Sequence, residues 1–154
     1  MIFLIVHAHT NTFMAIRMTF SIPVRPQKNV LITGLPGVGK TTAVISLANA
    51  LKDLHPAGFY TSEIREGGLR QGFELIGLDG RKSILSHVNI HSPHRVSRYG
   101  VDIKGFDAFL NTLKFGNRET GLIIIDEIGT MECYSRAAGS LPSSGNETMS
   151  TLLK

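Results

Sequence analysis

The run Gly34-Leu35-Pro36-Gly37-Val38-Gly39-Lys40-Thr41 constrains this chain more than any other feature. It satisfies the pattern Gly-x-x-x-x-Gly-Lys-Ser/Thr at every fixed position. Its flanks agree with it. Asn29-Val30-Leu31-Ile32-Thr33 is a short apolar, β-branched run of the kind a buried strand carries. Thr42 to Leu51 then places apolar residues at helical spacing. Strand, glycine loop and helix in that order predict a phosphate-binding loop inside an α/β fold.

Physical chemistry explains the residue types. A loop that wraps a triphosphate must turn tightly and aim successive backbone N–H groups inward. Gly34, Gly37 and Gly39 permit positive φ and close approach to phosphate. A helix starting near Lys40 adds the positive end of its dipole. The nucleotide-binding residues expected from the motif are Gly34, Leu35, Pro36, Gly37, Val38, Gly39, Lys40, Thr41 and Thr42. Lys40 is expected to reach the β- and γ-phosphates, and the Thr41 hydroxyl to ligate Mg²⁺.

A second run, Leu122-Ile123-Ile124-Ile125-Asp126-Glu127, supplies the matching acid. Four aliphatic residues ending in a carboxylate predict a buried parallel strand with its acid at the carboxyl end, where α/β sheets place ligands. Many buried strands end in an acid, but beside a phosphate loop the pattern is the Walker B arrangement. Asp126 is then the expected Mg²⁺ partner. Glu127 is the candidate to orient or deprotonate an attacking water, with a turn-stabilising or ion-pairing carboxylate as the bland alternative.

Length and composition limit the rest. At 154 residues the chain has room for one domain with a real core, not two. A hydrophobic content of 42% with 18% charged residues indicates a globular protein. No apolar stretch approaches the roughly 20 residues that cross a bilayer, so a membrane partner is not expected. The net charge of +4 comes without a dense basic run or interleaved aromatics, which argues against nucleic acid and for anionic phosphates as partners. The single cysteine, Cys133, excludes an internal disulfide and suits a reducing compartment.

Residues 1–28 contain no Asp or Glu and carry Arg17, Arg25 and Ser21 among apolar residues. That composition matches a mitochondrial transit peptide, and equally an extension ahead of a start at Met14 or Met18. They are read as an N-terminal extension, disordered or targeting, with the cytoplasm as the expected compartment and the mitochondrion as the alternative. After the first helix, Phe59–Arg65, Gly72–Leu78 and Lys82–Leu85, separated by Gly67-Gly68 and Asp79-Gly80, predict a small antiparallel meander. Ser86 to Gly105 reads as a long loop. Phe106, Phe109, Leu110 and Leu113 share one side of a short helix. His87, His91 and His94 are interrupted by Pro93 and lack acid or thiolate neighbours, which argues against a metal site. Arg65, Arg70, Arg95 and Arg98 are each arginine-finger candidates, with a surface charge as the plainer reading.

Further runs carry a resemblance. Thr33 to Thr42, Gly58 to Gly68, Arg70 to Glu74 and Arg98 to Asp102 are similar to the small P-loop nucleoside-triphosphatases. So is Ile125-Asp126-Glu127-Ile128-Gly129-Thr130-Met131-Glu132, the most distinctive of them. The resemblance covers residues 29–135. It implies Mg²⁺-dependent hydrolysis of ATP, GTP and other nucleoside triphosphates to diphosphates and phosphate. Lys40 and Glu127 would be catalytic, and Thr41 and Asp126 would hold the metal. The alternatives are a small-molecule kinase and a non-catalytic nucleotide-binding form.

Three departures accompany the resemblance. Ser62-Glu63 stands where the family has two acids, and Thr130 where it has a lysine. From Arg136 to the end the sequence is small, polar and turn-rich, a low-complexity tail where the family continues with further strands and helices. In such proteins the strand after the acid pair lies between the loop-bearing strand and the acid-tipped strand. The expectation is therefore an incomplete P-loop domain over 29–135, with a gap between those two strands.

Overall fold

The structure, a computed structural model, describes residues 2–8, 29–113, 115, 117–126 and 129–135. Its elements are β1 (Ile2–Ala8), β2 (Asn29–Gly34), α1 (Lys40–Ala50), β3 (Ala57–Glu66), β4 (Leu69–Gly77), β5 (Lys82–His87), β6 (Arg95–Val96), β7 (Tyr99–Val101), α2 (Ile103–Thr112) and β8 (Leu122–Asp126). They form an α/β fold around one eight-stranded mixed sheet in the order β2-β1-β8-β3-β4-β5-β7-β6. Strands β2, β1, β8 and β3 run parallel, and β3 to β5 then turn back on themselves as the expected antiparallel meander.

The sheet separates two clusters, and β8 shows how. All five of its residues are buried. Leu122 and Ile124 pack with Val44 and Ala48 of α1, while Ile123 and Ile125 pack with Phe59, Leu75, Leu85 and the α2 residues Phe106, Phe109 and Leu110. A strand covered on both faces has no polar side to offer, which is why its sequence is a continuous aliphatic run. Phe59 sits at the centre of the larger cluster, fully buried and edge-to-face with Phe106 at 6.0 Å and Phe109 at 5.9 Å. Phe59→Ala should cost about 3–5 kcal/mol, read from the urea midpoint of the full chain at constant m-value.

Helix α2 begins three residues earlier than its apolar pattern suggested. The Asp102 side chain accepts the Gly105 N–H at 2.9 Å and caps the first turn. The stretch read as a loop from Ser86 to Gly105 contains the β6–β7 hairpin, which pairs onto β5 through Ser86↔Val101 and His87↔Gly100. Two- and three-residue strands are too short for a periodic signal, so composition alone made them look irregular.

The largest difference concerns the amino-terminal residues. Composition sets 1–28 apart as an extension, and the family resemblance predicts a gap beside the loop-bearing strand. Instead β1 lies in that position, in register with β2 from Phe3↔Asn29 to Ala8↔Gly34 and with β8 from Ile2↔Leu122 to Val6↔Asp126. Among the described residues β2 is the outermost strand of the sheet rather than a buried one. Val30 is 45% and Leu31 61% exposed. The targeting reading of residues 9–28 and the low-complexity tail from 136 onward lie outside the described residues.

Candidate nucleotide site

The phosphate loop leaves β2 at Gly34 and enters α1 at Lys40. Gly37 at φ 78° and Gly39 at φ 96° occupy left-handed backbone, as a tight anion-facing turn requires. Gly34 does not have a positive φ. A side chain there would press on Val38, 3.0 Å from its Cγ1, so its demand is for space. The loop closes through the Val38 N–H to the Leu35 carbonyl at 3.3 Å, and Ala43 N–H bonds Gly39 O at 2.9 Å to start the helix. Buried Val44 and Ala48 anchor α1 against Leu122 and Ile124 of β8.

The Lys40 ammonium donates to the carbonyls of Gly34 and Leu35, each at 2.9 Å. It is therefore folded back over the mouth of its own loop. Thr41, on the first turn of α1, donates its hydroxyl to Asp126 Oδ2 at 2.6 Å. That contact joins the two motifs across 85 residues of sequence, and Asp126 is only 5% exposed. Thr42 is exposed on the outer side of the turn. Glu127 lies outside the described residues.

The Thr41 hydroxyl and the Asp126 carboxylate put two hard oxygen donors at the carboxyl end of a parallel strand. That donor set fits Mg²⁺, which takes one or two protein oxygens and completes its shell with water and phosphate. It fits a soft or imidazole-seeking metal poorly.

The segment after β8 has a role that its sequence does not reveal. Glu132, 5% exposed, accepts the Gly129 N–H at 2.9 Å and closes the turn beyond the acid-tipped strand. Met131 packs on the main core and accepts the Ser86 hydroxyl at 3.2 Å through its sulfur. The distinctive Gly-Thr-Met-Glu run is thus a clamp that ties the strand's exit to β5. Beside it is a cleft of about 180 Å³ lined by Thr61, Phe73, Leu85, Val96 and residues 129–132. A larger cleft of about 350 Å³, lined by His55, Pro56, Ala57, Leu78 and Thr120 among others, lies at the opposite, amino-terminal ends of β3 and β8. Ligands of parallel sheets bind at the carboxyl ends, so size does not make it the site.

The four arginines hold one another in a network on the β3–β4 and β6–β7 hairpins. Glu63 pairs with Arg65 at 2.6 Å and Arg70 at 2.7 Å. Arg70 also donates to the Tyr99 hydroxyl at 3.1 Å, Arg98 to the Arg70 carbonyl, and Arg95 to the Arg98 carbonyl at 2.7 Å. The Arg70 hydrogen bond, then Arg98, draws the Tyr99 phenol below its ordinary value, and Arg70 foremost holds the Glu63 carboxyl below the usual carboxylate range. Each of the four is thus engaged locally. The His side chains are also separate: His94 lies against Tyr134 at 5.0 Å with the rings tilted by 47°, while His87 accepts the Asn89 N–H at 3.2 Å. Among the described residues no helix is long and apolar enough to cross a membrane.

Comparison with known proteins matches this arrangement. The model of the NTPase family matches residues 29–140. The nucleoside-triphosphatase THEP1 of Thermotoga sp. (strain RQ2) is 47% identical over 108 residues, covering 70% of this chain and 61% of that protein. The human cancer-related nucleoside-triphosphatase is 38% identical over 121 residues, covering 71% and 64%. This chain therefore spans less than two thirds of the length of these relatives. Among solved structures, THEP1 from Aquifex aeolicus superimposes with a TM-score of 0.56 at 28% identity, covering 88% of this chain and 63% of that one. The phosphate loop, the acid-tipped strand it meets and the matched sequence together show that this chain belongs to the NTPase family.

Proposed function

We propose that this chain is a Mg²⁺-dependent nucleoside-triphosphatase that releases the γ-phosphate to water. The observation that carries the proposal is the 2.6 Å contact from Thr41 Oγ1 to Asp126 Oδ2, because it brings the two phosphate-site motifs to one point. The relatives named nucleoside-triphosphatases support it.

Each residue then has a task. The loop amides and Lys40 bind the phosphoryl oxygens and offset the charge that gathers on them in the transition state. Thr41 and Asp126 hold the Mg²⁺, which neutralises charge on the β- and γ-phosphates when bound. Glu127 orients a water for in-line attack on the γ-phosphorus. As the water oxygen bonds to phosphorus, the bond to the β–γ bridging oxygen breaks, and the water's proton passes to the Glu127 carboxylate. The grip is on the phosphates and not on the base, so ATP, GTP and other triphosphates should serve alike.

The kinase alternative needs room for an acceptor. The cleft beyond β8 is lined by Thr61, Phe73, Leu85, Val96 and residues 129–132, none of them from the phosphate loop, so the choice between water and an acceptor falls to experiment. Phosphate release measured with ATP and MgCl₂, without any acceptor, should proceed and should stop in EDTA. Diphosphate formation that requires an added acceptor would overturn the hydrolase reading. Asp126→Asn should lower turnover by at least about a hundredfold, since even outer-shell metal partners are worth about 10–100-fold.

A further inference from the structure

The two strands that carry the nucleotide-site motifs do not touch each other. β1 lies between them and is parallel to both. Val6 stands opposite Ile32 on one side and Asp126 on the other, while Ala8 stands opposite Gly34. Asp126 is therefore level with Ile32, two residues short of the point where the phosphate loop departs. At about 3.3 Å per residue the stagger is roughly 7 Å, and two strand spacings make the lateral separation roughly 10 Å. Thr41 reaches Asp126 across that interval to form its 2.6 Å hydrogen bond.

We infer that residues 2–8 are a positioning element of the nucleotide site: through their pairing on both edges they set the separation and the stagger of the loop-bearing and acid-tipped strands. Nothing else among the described residues sits between those strands. A slip of β1 by one residue against either neighbour would shift the motifs by about 3.3 Å. A misplacement of 1 Å can already cost about 10²-fold in rate. The sequence of the segment agrees with the place it takes. Ile2-Phe3-Leu4-Ile5-Val6 is a continuous apolar run, the pattern of an interior strand in a parallel sheet. The consequence for metal binding rests on the hydrolase reading above; the placement of β1 does not.

The test uses the full chain in two arms. Cys133 is the single cysteine and is exposed, so Cys133→Ser gives a clean background. Leu4→Cys with Val30→Cys joins register partners, whose Cα atoms should lie within the roughly 4.4–6.8 Å that a disulfide spans. Leu4→Cys with Ile32→Cys is offset by two residues, which puts the pair at about 8 Å, beyond that range. Mild oxidation should crosslink the first pair and leave the second as thiols. In the second arm, Val6→Pro removes one backbone N–H from β1. The extra thermal stabilisation that MgCl₂ adds to a non-hydrolysable ATP analogue should fall by at least about tenfold in apparent affinity, while the shift with the analogue in EDTA persists. Val6→Ile should keep the Mg²⁺ increment. A merely stabilising strand would lower the melting temperature without uncoupling metal from nucleotide. Failure of the in-register pair to crosslink, equal crosslinking of both pairs, or an intact Mg²⁺ increment in folded Val6→Pro overturns the inference. The crosslink reports placement without any nucleotide, so a chain that ignores nucleotides would defeat the hydrolase reading and leave this result decisive on its own.

Discussion

Gly58→Ala is expected to abolish folding of the full chain or to remove at least about 4–5 kcal/mol of stability, out of the roughly 5–15 kcal/mol a domain possesses. Gly58 is in β3, opposite Ile124 of β8, with φ 145°. A Cβ at this position would sit 1.7 Å from the Ile124 carbonyl oxygen and 2.7 Å from its carbon. Both are backbone atoms of the central buried strand, so neither can rotate away. Relief would require β3 to separate from β8, breaking the parallel pairing from Ala57↔Ile123 to Phe59↔Ile125 and withdrawing Phe59 from the core. Gly80→Ala is the matched control. Gly80 also has positive φ, at 86°, but a Cβ there meets nothing within 4 Å. Its cost should be only the left-handed penalty of about 1–2 kcal/mol. Equilibrium denaturation of the two variants separates strain from collision, and similar losses in both would refute the steric account.

Lys40→Ala should eliminate the stabilisation of the chain by ATP while leaving the ligand-free protein folded. A ligand that binds only the folded state at 100 times its dissociation constant adds about 2.7 kcal/mol. Lys40 is half-buried, and its ammonium donates to two carbonyls of its own loop. Its removal should change the ligand-free stability by no more than about 3 kcal/mol, the upper worth of hydrogen bonds made by a charged group. The charge complementary to the phosphates, in contrast, disappears entirely. Thermal unfolding across an ATP titration reads both quantities at once. An undiminished shift in Lys40→Ala would place nucleotide binding elsewhere or show it to be nonspecific.

The individual elements were legible for reasons that particular residues make plain. The meander could be read because Gly67-Gly68 and Asp79-Gly80 punctuate three strand-like runs, and the turns fall there. The α2 face was visible because Phe106, Phe109, Leu110 and Leu113 recur at helical spacing, and all four are buried. The β6–β7 hairpin escaped notice because five strand residues cannot establish a period. Gly34 was grouped with Gly37 and Gly39 as a positive-φ position, but it is a strand residue limited by Val38; a motif lists glycines without distinguishing conformation from space. The Glu132 clamp was visible only as a distinctive run, because its function depends on a turn that folds the carboxylate back to the Gly129 N–H.

The amino acids by themselves determined the chemistry available: a glycine loop with Lys40 and Thr41, and an aliphatic strand ending in Asp126. These are local patterns, set by backbone freedom, charge and periodicity within a few residues. What only the tertiary structure decided is which strands are neighbours. An apolar run such as Ile2–Val6 announces a strand but carries no address, because parallel pairing is made between segments far apart in the chain and its hydrogen bonds come from the backbone, which is the same for every sequence. Residues 2–8 could thus be set aside as an extension on composition, yet they stand between the two strands that carry the motifs.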